Sequence, residues 1–215
     1  MTTFAELIAR TNLIVQDDSL LTVLRALINQ GVNEIAGGMQ STLGSWITPP
    51  LPELFSIDTV DTSTTVAYVD MPETFHRSLQ LVALENGSEI DIEHSFIDFI
   101  STYPLLNKTG NISSIIEHGK KLYYQGIPVV SEKLTLHFYR KPVVMVDNDD
   151  VPDGIPEHMQ MNLLSYYAAW KAFIFIEDGI ESDSVNVKRY MELFYSNLRV
   201  LELSIPDYTR SLYLR

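Results

Sequence analysis

Leu134-Thr135-Leu136-His137-Phe138-Tyr139-Arg140-Lys141-Pro142 leads, across an acidic loop, into Ile155-Pro156-Glu157-His158 and then Leu163-Leu164-Ser165-Tyr166-Tyr167-Ala168-Ala169. In the first stretch Leu134, Leu136 and Phe138 alternate with Thr135, His137 and Tyr139, the period of two that a half-buried strand imposes. Past the loop the period changes. Met159, Leu163, Tyr166, Trp170, Phe173, Ile174 and Glu177 recur at helical spacing, and Gly179 is a natural stop. Pro156 suits the first helical position, where its missing N–H costs nothing. β structure therefore gives way to helix between Tyr139 and Pro156.

Working outward from this junction, Ser184 is placed to cap a second helix, with Val187, Met191, Phe194, Leu198 and Leu201 in one stripe. Pro206 ends that helix and leaves a short tail. On the other side, Thr64 to Tyr139 reads mostly as β. Thr65-Val66-Ala67-Tyr68-Val69 and Leu79 to Leu84 are strand-like, and Glu85-Asn86-Gly87-Ser88 suggests a type I′ hairpin with Ile90 and Ile92 returning. Ile115-Ile116-Glu117, His118-Gly119-Lys120 and Leu122-Tyr123-Tyr124 read as a second hairpin, and Ser95 to Tyr103 as a helical turn or two. From Trp46 to about Ile57, Pro49, Pro50 and Pro52 forbid a helix and a central strand, which leaves an extended connector. Further back, Phe4, Leu7 and Ile8 share one face of a short helix, followed by an irregular stretch through Asn12 and Gln16. Asp17, Asp18 and Ser19 then start a longer helix carrying Leu20, Leu24, Leu27, Ile28, Val32 and Ile35, which stops at Gly37-Gly38.

The reading is an α+β chain: a helical bundle of one N-terminal and two C-terminal main helices, with an inserted antiparallel β module and an extended C-terminal tail. The expected division is 1–45 for the N-terminal helices and 46–146 for the proline-rich connector and β module. The C-terminal core helices take 147–204 and the tail 205–215. No internal repeat of solenoid length is visible.

Composition narrows the function. Of 215 residues 46% are hydrophobic and 20% charged, enough to bury a core. The absence of cysteine excludes a disulfide framework, a thiolate nucleophile and a Cys-ligated zinc site. A formal charge of -13 argues against gripping nucleic acid, which needs clustered Lys and Arg. The same charge serves either solubility or a wall that DNA passes without sticking. Residues Met1 to Ile8 lack a signal peptide's pattern, and no stretch reaches the roughly 20 apolar residues of a membrane span. The expectation is a soluble protein that works where it is made.

Catalytic patterns are missing. His76, His94, His118, His137 and His158 show no zinc-helix spacing, and phosphate-binding glycine loops and nucleophile elbows do not occur. The run Asp147 to Gly154, read as a calcium loop from Asp149, puts Val151 and Gln160 at positions that need a side-chain oxygen and a bidentate carboxylate. A solvated loop whose charges favour the following helix N-terminus fits better. Neither metal nor cofactor is expected. Aromatic residues crowd the last third. Tyr167, Trp170, Ile174 and Phe175 spread around their helix, which makes them candidates for packing between subunits, with an ordinary interior helix as the alternative.

Five pieces, in order, resemble the tailed-phage head-to-tail adaptor (connector) proteins. They are Val69-Asp70-Met71-Pro72-Glu73-Thr74-Phe75, Thr102-Tyr103-Pro104, Lys120 to Pro128, Leu134 to Pro142 with its Tyr-Arg-Lys-Pro exit, and Ile155 to His158 leading into Leu163 to Ala169. The resemblance spans about Ser19 to Leu203. One departure is that the first helix lacks a clear Trp-Pro-type loop, for which Trp46 and Pro49-Pro50 are the available residues. The resemblance implies a non-enzymatic virion protein of the phage neck, made in the host cytoplasm. It would form a ring with the portal's twelvefold symmetry, join portal to tail proteins, and let double-stranded DNA through without specific binding. It implies no membrane role. In the tail, Tyr208, Arg210, Leu212, Tyr213, Leu214 and Arg215 suit a segment that orders by docking on a partner, against the alternative of a frayed terminus. Rival readings are a tail-completion or baseplate subunit, a small hydrolase using dispersed His and carboxylates, and a binding module unrelated to phage.

Overall fold

The structure is a computed structural model that describes residues 1–39, 48–177 and 184–205. Trp46, Gly179 and the tail from Pro206 lie outside the described residues. In chain order the elements are α1 (Phe4–Val15), α2 (Leu21–Gly37), β1 (Phe55–Asp61), β2 (Tyr68–Asp70), β3 (Phe75–Leu84), β4 (Glu89–Ile92), α3 (Phe96–Thr102), β5 (Ser114–His118), β6 (Lys121–Tyr124), β7 (Lys133–Arg140), α4 (Glu157–Ile176) and α5 (Val185–Ser204). The fold is α+β. Two compact units divide the chain: a helical unit from the described residues up to Leu54 and from Lys141 on, and a β unit of Phe55–Arg140.

In the helical unit, α1 begins with a reciprocal capping box. The Thr3 hydroxyl accepts from the Glu6 N–H at 3.3 Å, and the Glu6 carboxylate accepts from the Thr3 N–H at 2.9 Å. The stretch through Asn12, expected to be irregular, continues this helix to Val15. Thr11 is buried on the same face as Leu7 and Ile8 and satisfies its hydroxyl on the Leu7 carbonyl at 2.8 Å. Gln16 then turns left-handed, with φ 58°, and stops it. Asp17 accepts from the Ser19 N–H at 2.9 Å and opens a short 3-10 turn that feeds α2. Helix α4 packs on α1, on α2 and on α5. Its residues Leu163, Leu164, Tyr167, Ala168, Ala169 and Ala172 are all fully buried. A helix apolar on more than one side is buried on more than one side, and here the chain's own helices do the covering.

The β unit holds one seven-stranded sheet in the order β1-β7-β3-β4-β5-β6-β2. Alternation along β7 buries Leu134, Leu136 and Phe138 as expected, and these join Val82, Ile115 and Leu122 in its core. All ladders are antiparallel except β4 with β5, which run parallel. A parallel pair needs a crossover, and α3 supplies one between them.

Both expected hairpins form, the first with a turn other than type I′. The loop after β3 holds positive φ only at Gly87 (φ 83°), and Asn86 instead uses its side chain to accept from the Ser88 N–H at 2.9 Å. A type I′ turn would need both central residues left-handed. The β5–β6 hairpin has Gly119 (φ 66°) first in a two-residue loop, as type II′ turns do. Thr65 to Ala67, expected as strand, is a bend, because the Ser63 hydroxyl draws the Thr65 and Val66 N–H groups at 3.1 and 3.2 Å. Strand β1, whose first residues Phe55 to Ile57 were expected as the end of the connector, pairs all seven residues with β7.

Candidate functional site

The described residues hold no group of three or more His, Asp and Glu able to bind a metal ion, and the five histidines sit on separate segments. His118 stacks on Phe96 at 4.0 Å and 11°, and His137 lies 5.9 Å from Phe55. No helix among the described residues is long and apolar enough to cross a membrane.

The acidic loop has a structural use of its own. The Asp150 carboxylate accepts from the Val146 and Asp147 N–H groups at 2.6 and 2.8 Å, and these two donors hold its pKa below the ordinary 3.8. The Asp150 and Asn148 carbonyls accept from the Phe4 and Ala5 N–H groups at 2.7 and 3.0 Å. Those donors belong to the first turn of α1, which has no intrahelical acceptors for them. The loop's backbone therefore caps α1. Gln160, at the failed calcium-ligand position, is buried and donates to the Pro152 and Ile155 carbonyls at 3.2 and 2.8 Å, closing the loop.

The four packing candidates on α4 fall into three places. Tyr167 is fully buried inside the helical unit, with its ring 5.3 Å from Phe194, and burial followed by the Glu34 carboxylate pushes its hydroxyl well above the ordinary tyrosine range. Trp170 is half-buried, 5.8 Å from both Phe194 and Tyr195 on α5. Ile174 and Phe175 are exposed, Phe175 by 65%. Only these last two present apolar surface outward. Tyr208, Arg210, Leu212, Tyr213, Leu214 and Arg215 lie outside the described residues, but their root is fixed: Ile205 is buried and lines a cavity of about 200 Å³ with Leu51, Pro52 and Pro156.

One outward segment was not singled out from the sequence. After Pro142, Val143, Val144 and Val146 are exposed while Met145 is buried. The Val-Val-Met-Val run is visible in the sequence, but a reader takes such a run for core.

None of the curated proteins compared matches this chain. The family model of the SU10 adaptor protein matches residues 2–213, nearly the whole chain and both units. The five pieces that carry the resemblance all fall within the matched residues, and the chain belongs to the SU10 adaptor protein family.

Proposed function

We propose that this chain is a non-enzymatic structural subunit of a tailed-phage neck, forming a ring beneath the portal that links it to the tail. The observation that carries this reading is the adaptor-family match over residues 2–213. Three features support it. The polar side chains that sequence reading weighed for metal binding are used to hold backbone, as at Asp150 and Gln160. Ile174, Phe175 and Ile176 are exposed apolar residues in a row at the end of a helix that is half buried, and exposed apolar clusters mark interaction sites. The charge of -13 suits a lumen through which DNA slides without binding.

In this reading Ile174 and Phe175 pack against another subunit, with Trp170 supporting them from the α4–α5 seam. The tail from Tyr208 docks on portal or tail proteins, its Arg210 and Arg215 offering positive charge from a largely acidic chain. Native mass spectrometry of the protein alone and mixed with the candidate portal ring tests the proposal. One copy bound per portal subunit is the expected result. No complex at any salt concentration overturns portal binding and moves the protein to the tail side of the neck.

A further inference from the structure

The sheet of the β unit has two edges, β1 and β2, and an edge strand offers unpaired backbone to any strand that comes alongside. The β2 edge is three residues long and partly taken. Its Tyr68 carbonyl and the Val66 carbonyl before it both accept from the Tyr124 hydroxyl, at 3.2 and 2.9 Å. The β1 edge is the larger. Its seven residues pair on one side only, with β7, and Phe55 and Ile57 are 44% and 57% exposed. Extended, apolar and exposed, it is the kind of strand on which another copy of a chain can pair.

Which of its groups are open follows from the ladder. The Thr62 N–H donates to the Glu132 carbonyl at 2.9 Å, one step beyond the pairing of Asp61 with Lys133. Bonded and unbonded pairs alternate in an antiparallel ladder. Ser56, Asp58 and Val60 therefore bond to β7, and Phe55, Ile57, Thr59 and Asp61 turn their N–H and C=O groups to the open edge. One of these outward donors is already taken. The Thr59 N–H donates to the Asp58 carboxylate at 2.8 Å.

Asp58 also breaks the pattern of its strand. Residues directly opposite one another share a face of the sheet, and Ser56, Asp58 and Val60 stand opposite Phe138, Leu136 and Leu134, all fully buried. Val60 packs on that core, yet the middle of the row carries a charge where the alternation calls for an apolar side chain. An inward-pointing charge is one device by which sheets resist pairing at their edges. We infer that Asp58 guards the β1 edge: its carboxylate occupies the Thr59 N–H and keeps β1 from pairing with β1 of a second copy. A strand arriving there must pull the carboxylate off its donor and cover it without a partner. In the two-fold pairing centred on this residue, the two Asp58 side chains would also face each other as like charges. The inference does not rest on the ring reading, because it concerns a contact that copies avoid whichever contacts they make elsewhere.

Removing the guard tests it. Asp58 is exposed, so Asp58→Val should keep the wild-type circular dichroism spectrum. Sedimentation velocity of the full chain, with wild type as the baseline at each concentration, should show Asp58→Val self-associating at least about tenfold more strongly. Adding Ile57→Lys and Thr59→Lys, at two exposed positions, sets like charges across a β1–β1 pair and should return the variant to the wild-type state. In wild type, the Thr59 amide should exchange more slowly than the Ile57 and Asp61 amides that face the same edge. Asp58→Val that associates no more than wild type overturns the inference. Association that survives the two lysines does the same, because the contact would then lie elsewhere. Equal exchange at the three amides overturns it too, since the carboxylate would not be holding its donor.

Discussion

Gly31 on α2 faces the Tyr167 ring so closely that a Cβ there would stand 2.7 Å from the nearest ring carbon. No rotation of a fully buried Tyr167 relieves that clash cheaply, so Gly31→Ala should cost about 1–3 kcal/mol, the usual price of overpacking. Urea unfolding checks it, with an unchanged midpoint as the contrary result. Tyr124 has the same weight in the β unit. Its buried hydroxyl accepts from the Ser63 N–H at 2.9 Å and donates towards the Val66 carbonyl at 2.9 Å, tying the loop before β2 to β6. Tyr124→Phe leaves these groups without that partner and should cost about 1–3 kcal/mol. Asp150 gives a pH signature. Its folded pKa is depressed, so its contribution is fully present above the ordinary 3.8 and is lost as pH falls through the folded value. The melting temperature of Asp150→Asn should lie below wild type at pH 7, and the gap should close in strong acid. A gap that persists there would mean the carboxylate charge is irrelevant.

At the level of elements, the valine segment depends on Asn29. Asn29→Ala removes both hydrogen bonds to Met145 and should increase amide exchange at Met145 while leaving α4 protected. Uniform change across the helical unit would instead mean that the segment and the helices open together. What could be read from the sequence follows the same scale. Strand β7 was plain because one face is core and the other is not, which writes Leu134, Leu136 and Phe138 at a period of two. Strand β1 was hidden, since Phe55–Asp61 is an edge strand with most side chains exposed and follows a run of prolines. Helix α4 was found from its spacing, but its apolar breadth admits two physical origins. A neighbour subunit and a central position in a bundle produce the same sequence, and only packing tells them apart. Tyr167 shows the difficulty: it reads as surplus aromatic surface and lies against Gly31 and Phe194. The outward valines were illegible for the reverse reason, because what exposes them is a backbone held by Asn29, Asp150 and Asp153.

For the whole molecule, the insertion has a simple plumbing. The chain enters the β unit along β1 and leaves along β7, and these neighbours begin and end with Phe55 opposite Tyr139. Residues 55–140 should therefore be replaceable by a short Gly-Ser linker without unfolding the helices. Circular dichroism of that variant should keep a cooperative helical melt, and loss of helix would show that the helical unit needs the insertion to fold. The two loose ends also determine how the β unit answers force. Tension applied to the chain at its point of entry pulls β1 and β7 apart from the same end. The ladder is then loaded one rung at a time, beginning at Phe55 and Tyr139, and never all seven rungs together. Strands peeled in this way yield to a weaker tug than strands slid lengthwise, so a filament dragging on this junction would unzip the sheet from its base, with the first rung acting as the fuse.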